Sequence, residues 1–126
     1  MSKAKIEGYM INLSLTFEDV GDNVWVIKDA EKGLENVIVF AEDSLLTIQA
    51  KVMDIPDEGK LELFEQLLRL NVDMVHGAYA VEEENIMLLD TLDIPTMDLE
   101  EFQSSLDAIG LALAQHYPLL SKYRNA

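Results

Sequence analysis

The sequence predicts an α+β fold: an antiparallel sheet of about five strands with three helices, in the order α-β-β-β-α-β-β-α. Three observations predict it. Residues 45–53, LLTIQAKVM, put Leu46, Ile48, Ala50 and Val52 on one side and Leu45, Thr47, Gln49, Lys51 and Met53 on the other, the two-residue period of a half-buried strand. Near the C-terminus, Leu99, Phe102, Leu106, Ile109 and Leu113 step by 3, 4, 3 and 4, the period of an amphipathic helix. The connections between strand runs are short, which joins neighbouring strands antiparallel and leaves the helices to pack on the sheet.

Each element has its own local warrant. Ile6, Tyr9, Met10 and Leu13 recur at helical spacing, so residues 3–14 form a first short helix, weakened by Gly8. Gly21-Asp22-Asn23 is turn chemistry. A strand follows at about 23–28, and a short strand near Phe17–Val20 is left open. Asp29 to Asn36 is a polar turn around Gly33, NVIVFA (36–41) is a β-branched strand, and AEDS separates it from residues 45–53.

IPDEGK ends that run, and Asp57 suits a helix start. Leu61, Phe64, Leu67, Leu68 and Asn71 then follow helical spacing over about four turns, with Asn71 as the C-terminal boundary because Asn tolerates a left-handed backbone. AYAVE (78–82) and NIMLLDTLDIP (85–95) are the strands of a hairpin closed by Pro95, which has no amide proton for a ladder. Glu82–Glu84 form its exposed tip, where water screens their repulsion. No glycine is there for the tightest turn, so a loop longer than two residues is expected. The last helix starts at Asp98, which with Glu101 has the spacing of a reciprocal cap. It runs to about residue 116, and Pro118 kinks or ends it.

A length of 126 residues fits one domain, 1–126, with a two-layer core. The hydrophobic fraction of 49% excludes a disordered acidic tail despite a net charge of -15. There are 24 acidic residues against 9 basic ones, and no Lys or Arg lies between Arg69 and Lys122. Nucleic acid and anionic membranes are bound by cations, so neither is an expected partner. A basic or apolar protein is more compatible, and the charge also keeps an apolar-rich chain in solution. Cysteine is absent, which removes disulfides, thiolate metal sites and cysteine nucleophiles. With neither a signal-peptide core nor a stretch of about 18 uncharged apolar residues, the default is a soluble cytoplasmic protein.

Catalytic chemistry finds little support. The two histidines, His76 and His116, read as a loop histidine and a partly buried helix histidine. No HExxH, EF-hand loop or Gly-rich phosphate loop is present. Glu100 and Glu101 are accounted for by the helix dipole. The expectation is therefore no catalytic residues, no metal and no cofactor. What stands out is apolar surplus. Ile86, Met87, Leu88 and Leu89 are consecutive on one strand, so apolar side chains project from both faces, and Trp25 and Ile27 against Val24 and Val26 pose the same problem. Three helices do not easily cover both faces of a five-stranded sheet. Bent helices and loops are the plain way to cover the second face. A second copy or another chain is the functional way, with Trp25, Ile27, Met87 and Leu89 as the candidate contacts. An unpaired edge strand would be a further docking site for an extended peptide.

The stretch FEQLLRLN (64–71), then AYAVEEENIMLLDTLDIP (78–95) and DLEEFQSSLDAIGLAL (98–113), resembles the type III secretion chaperone-like fold, which includes the CesT/Tir chaperones and the YbjN-like proteins. The matching positions are Leu67, Leu68, Asn71, Ala80, Val81, Ile86, Leu88, Leu89, Pro95, Leu99, Phe102, Leu106 and Ile109. FEDVGDNVWVI (17–27) is similar to the opening helix-to-strand turn of YbjN-like members, which makes that branch the nearer one. The resemblance covers nearly the whole chain and implies a small acidic homodimer without catalytic residues. In the secretion chaperones it implies holding the N-terminal segment of another protein in extended form along apolar grooves; in YbjN-like proteins, a regulatory role. The resulting expectation is a non-enzymatic protein-binding module, chaperone-like or a regulatory adaptor, acting as a homodimer. A YbjN-like regulator or sensor domain binding a small ligand between sheet and helices is the alternative.

Overall fold

A computed structural model describes residues 2–124 of the chain. Its elements are α1 (Ser2–Asn12), β1 (Phe17–Gly21), β2 (Val24–Asp29), β3 (Leu34–Glu42), β4 (Leu45–Asp54), α2 (Lys60–Asp73), β5 (Ala78–Glu82), β6 (Asn85–Asp93) and α3 (Leu99–Leu120). The class and element order agree with expectation except in strand number. The sheet has six strands, in the order β1-β2-β3-β4-β6-β5, and every neighbouring pair is antiparallel. The sixth is the Phe17–Gly21 segment. It has one inward side chain, Phe17, and is otherwise exposed, so hydrophobic patterning alone cannot reveal it. The Asp22–Asn23 turn makes it a strand: both residues have φ near +60°, the geometry of the tight hairpin turns that Asn and Asp tolerate.

The second hairpin is tighter than its sequence suggests. Glu82 pairs with Asn85, so only Glu83 and Glu84 form the β5–β6 turn. Glu83 takes the left-handed backbone (φ 55°) without being glycine. The Glu84 carbonyl accepts from the Ile55 amide at 2.8 Å, which ties this tip to the end of β4 and offsets part of the strain.

Alternation along the strands sorts the sheet into two unequal faces. Trp25, Ile27, Val37, Val39, Leu46, Ile48, Ile86 and Leu88 are all fully buried. They share one cluster with Ile6 and Met10 of α1, Leu63 and Leu67 of α2, and Phe102, Leu106 and Ile109 of α3. All three helices therefore sit on one face. Trp25 is the largest side chain enclosed there, and its indole N–H donates to Glu7 of α1 at 2.7 Å. A buried indole needs such a partner, and this one pins α1 across β2.

α3 begins as its sequence dictates: Asp98 accepts from the Glu101 amide at 2.8 Å, and Glu101 accepts from the Asp98 amide at 3.0 Å. It does not stop before Pro118 but continues to Leu120. Proline removes one backbone bond. Burial of Leu120 at 2% exposure holds the final turn, and Ser121 donates its hydroxyl to the Pro118 carbonyl.

α2 differs from its sequence reading at both ends. Gly59, in the left-handed region, occupies the N-cap position in place of Asp57. Asn71 does not end the helix, which runs to Asp73. Instead its side chain acts as a surrogate strand neighbour for β5: Oδ1 accepts from the Tyr79 amide at 2.7 Å, and Nδ2 donates to the Tyr79 carbonyl at 3.3 Å. One amide side chain thus seals the outer edge of the sheet at Tyr79. Replacing Asn71 with Ala leaves both backbone groups unpaired at a partly buried site, which should cost about 2 kcal/mol. Urea unfolding of N71A against wild type checks this; an unchanged midpoint would show that Asn71 does not carry the edge.

Candidate functional site: two uncovered apolar surfaces

The residues singled out from the sequence separate onto opposite faces. Trp25 and Ile27 point into the helical layer and have no exposed surface, so the expectation that they touch a partner is corrected. The strand period decides it: α1 lies over the Trp25 side of β2, leaving Val24 and Val26 on the other side. Met87 and Leu89 do lie on the uncovered face. Met87 is 6% exposed, between Lys51 of β4 and Ala80 of β5, and Leu89 is half-buried. Leu89 is therefore the more accessible of the two.

Register builds the rest of that face. Val24 lies opposite Phe40, Phe40 opposite Thr47, and Thr47 opposite Thr91. In the next row Val26, Ile38, Gln49, Leu89 and Ala78 follow one another from β2 to β5. The result is two apolar patches, one on β2 and β3 and one on β6 and β5, joined by the polar side chains of β4. Apart from Met87, Thr47 and Thr91, these side chains are half-buried with no helix over them.

The second surface escapes the sequence reading. On α2 the buried positions are Leu63 and Leu67. Leu61 and Leu68, read as part of the buried stripe, point outward at 85% and 67% exposure, with Val72 at 83% and Val75, just beyond the helix, at 91%. The spacing of 7 and 4 from Leu61 to Val72 draws a second stripe along α2, and exposed Val75 follows it beyond the helix end. The sequence carries this signal, because α2 has more leucine and valine than one helix face can bury. Which leucines face inward is set only by where α2 docks.

The stripe leads to a groove of about 270 Å³ between the end of α2 and α3, with Met74, Val75, Ala108 and Leu111 among its lining and Asp73, Gln115 and both histidines at its polar positions. His116 lies 2.7 Å through Nδ1 from the Tyr79 hydroxyl. Burial pushes the Tyr79 hydroxyl up to about 12, so it keeps its proton and can donate it to a neutral imidazole. Burial also holds His116 below the usual histidine range, opposed by the nearby Asp73 carboxylate. His76 Nδ1 stands 4.0 Å from Asp90, whose carboxylate already accepts from the Ser105 hydroxyl at 2.8 Å. Ser105 is fully buried, and its hydroxyl is committed to that carboxylate. Among the described residues, no group of three or more acidic or histidine side chains is placed to hold a metal, and no helix is long and apolar enough to cross a membrane.

The family model CesT_Tir_1 matches residues 1–126. The chain belongs to the CesT_Tir_1 family. No curated protein matches it. Among solved structures, a chain of the heterodimeric ExoU–SpcU complex from the type III secretion system of Pseudomonas aeruginosa is 14% identical over 90% of this chain and 96% of that one, with a TM-score of 0.75. A chain of the Yersinia pestis complex between the type III secretion chaperone SycH and a fragment of YscM2 is 12% identical over 91% and 98%, with a TM-score of 0.68. YbjN from E. coli is 11% identical over 91% and 90%, with a TM-score of 0.67. At these identities the likeness is one of fold, and it agrees with the resemblance read from the α2, β5–β6 and α3 segments.

The His116 environment has a pH consequence. Its folded pKa lies below the unfolded value, so the unfolded chain takes up the proton first as pH falls. The associated stability is complete above the ordinary histidine value of 6.5 and is lost as pH drops below it through the folded pKa. Between pH 7.5 and 5.5, wild type should therefore lose more thermal stability than His116→Gln. Parallel pH profiles of the two proteins would contradict this.

Proposed function

We propose that this chain is a non-enzymatic protein-binding module of the CesT_Tir_1 family, chaperone-like or adaptor-like, that works in the cytoplasm as a homodimer and holds an apolar segment of another protein. The observation that carries the reading is the pair of apolar surfaces left over after the core is complete. The α2 stripe of Leu61, Leu68, Val72 and Val75 joins two copies. The uncovered sheet face, with Leu89 and, more deeply set, Met87, receives the partner.

Several points support this division. A stripe exposed at 67% or more along its whole length is expensive to leave in water, at roughly 25 cal/mol per Å² of apolar area. A helix stripe pairs readily with its own copy across a two-fold axis. Related folds are found in the company of other proteins: SycH with a fragment of YscM2, and HopA1 with SchA in a chaperone–effector complex. The space between sheet and helices, where a small ligand would bind in the regulator reading, is occupied by Trp25, Phe102 and the fully buried Ile and Leu side chains around them.

Static light scattering at micromolar concentration should give twice the 14.2 kDa chain mass. Leu68→Lys with Val72→Glu should return the single-chain mass with an unchanged circular dichroism spectrum. A wild-type monomer at that concentration would sink the homodimer. Leu89→Asp should leave the mass unchanged and reduce recovery of bound protein from the native host. Equal recovery would remove the sheet face as the partner site.

A further inference from the structure

We infer that the groove between the end of α2 and α3 is a proton-gated socket for a second copy of this chain. Leu61 of the second copy seats in it while His116 is neutral, and the two copies part when His116 takes up a proton. The inference rests on the homodimer proposed above and adds to it an arrangement and a control.

The arrangement comes from α2. Leu68 is 67% exposed, and Leu61, seven residues before it, and Val75, seven after, are more exposed still. α2 opens on Lys60 and closes on Asp73. Two copies packed with parallel α2 helices would set Lys60 against Lys60 and Asp73 against Asp73. Packed antiparallel about a two-fold axis near Leu68, they set Lys60 of each copy against Asp73 of the other, the complementary choice. Leu61 then lies about 10 Å along the helix from the axis, level with the end of the facing α2, where the groove opens. The groove is about 270 Å³ in volume and accommodates a leucine side chain against Met74, Val75, Ala108 and Leu111.

The control comes from what faces His116. Tyr79 of β5 holds its hydroxyl 2.7 Å from Nδ1. Asp73 of α2 is the carboxylate that favours the imidazolium. His76, in the turn before β5, and the uncharged Gln115 of α3 line the same groove, and His76 in turn stands 4.0 Å from Asp90 of β6. Both walls of the groove come from the segment 70–121, which has no Lys or Arg. In the separate chain, water and Asp73 both stabilise a protonated His116. Seating the second copy removes both supports. Leu61 displaces water from the imidazole, where burial already opposes the charge. Lys60 engages Asp73 and brings a like charge towards the ring. The proton therefore binds the separate chain more tightly than the pair, and by linkage acid drives the copies apart. General charge works the other way. Each chain carries -15, and partial neutralisation on acidification relieves repulsion and tightens a pair. Weakening on acidification thus has the sign of the groove and not of the surface.

Sedimentation velocity on the intact chain at pH 7.5 and 5.5 reads the dimer dissociation constant, and circular dichroism confirms that each variant is folded at both. Wild type should dimerise at pH 7.5 and at least tenfold more weakly at pH 5.5. His116→Gln, which keeps an acceptor for the Tyr79 hydroxyl, should dimerise at pH 7.5 and lose the weakening; His116→Asn is a second neutral replacement should the first fail to fold. His76→Gln should respond as wild type does. A response abolished by His76→Gln and kept by His116→Gln would overturn the gate. A wild-type constant that is unchanged or tighter at pH 5.5 would overturn it too, with the homodimer left standing, whereas a wild-type monomer at pH 7.5 would remove both. Leu61→Asp, at an exposed position, should give the single-chain mass at pH 7.5, and a retained dimer would remove the socket. Lys60→Glu and Asp73→Lys should each weaken the pair about tenfold at pH 7.5, and the two together should restore it. A double variant no tighter than either single one would overturn the antiparallel seating.

Discussion

An antiparallel sheet has two faces, and all three helices of this chain lie against one of them. That allocation follows from the area available. Trp25, Phe102 and the fully buried Ile and Leu side chains need a closed layer above the strands, and α1, α2 and α3 are together just enough to provide it. The other face keeps Val24, Val26, Ile38, Phe40 and Leu89 in partial contact with water. The side chains of its two patches are as apolar as those of a core, and polar β4 side chains separate them. The proposed protein-binding role rests on this shortfall.

α2 has two jobs that bind it to the rest. Through Leu63 and Leu67 it closes the core, and through Asn71 it substitutes for a missing strand beside β5. An open edge invites pairing with other chains, and Asn71 closes that edge at Tyr79. Once the helix is held by those two contacts, Leu61, Leu68 and Val72 have nowhere to point but outward. The exposed stripe is thus a geometric consequence of the sealed edge. Polar groups beside it pair with one another, Tyr79 with His116 and Asp90 with Ser105.

Electrostatics shapes the surroundings of both surfaces. A net charge of -15 on 126 residues opposes association with acidic surfaces and favours a cationic counterpart. It also places a repulsive term on any self-association, which the apolar area of the α2 stripe must exceed.

Much of this was written in the amino-acid order. The 3-and-4 spacing from Leu99 to Leu113 and the Asp98–Glu101 cap lie within single elements, where local chemistry decides, and both reappear in the structure as read; the alternation of residues 45–53 holds only to Lys51, where a bulge turns Met53 into the core beside Ile86 and leaves Val52 half-buried. The apolar surplus of β6 and the α2–β5–β6–α3 pattern likewise located the family. The sequence by itself thus determined the class, the element order, the acidic character and the presence of more apolar surface than three helices can cover. Only the tertiary structure decided which face of each strand is covered. A period of two defines two faces without saying which meets the helices, so Trp25 went inside and Leu89 stayed out. The same holds for α2, where docking beside β5 chose Leu63 and Leu67 over Leu61 and Leu68, and for Asn71, whose partners lie eight residues away on a neighbouring strand. Those choices depend on contacts between elements, and no local pattern encodes them.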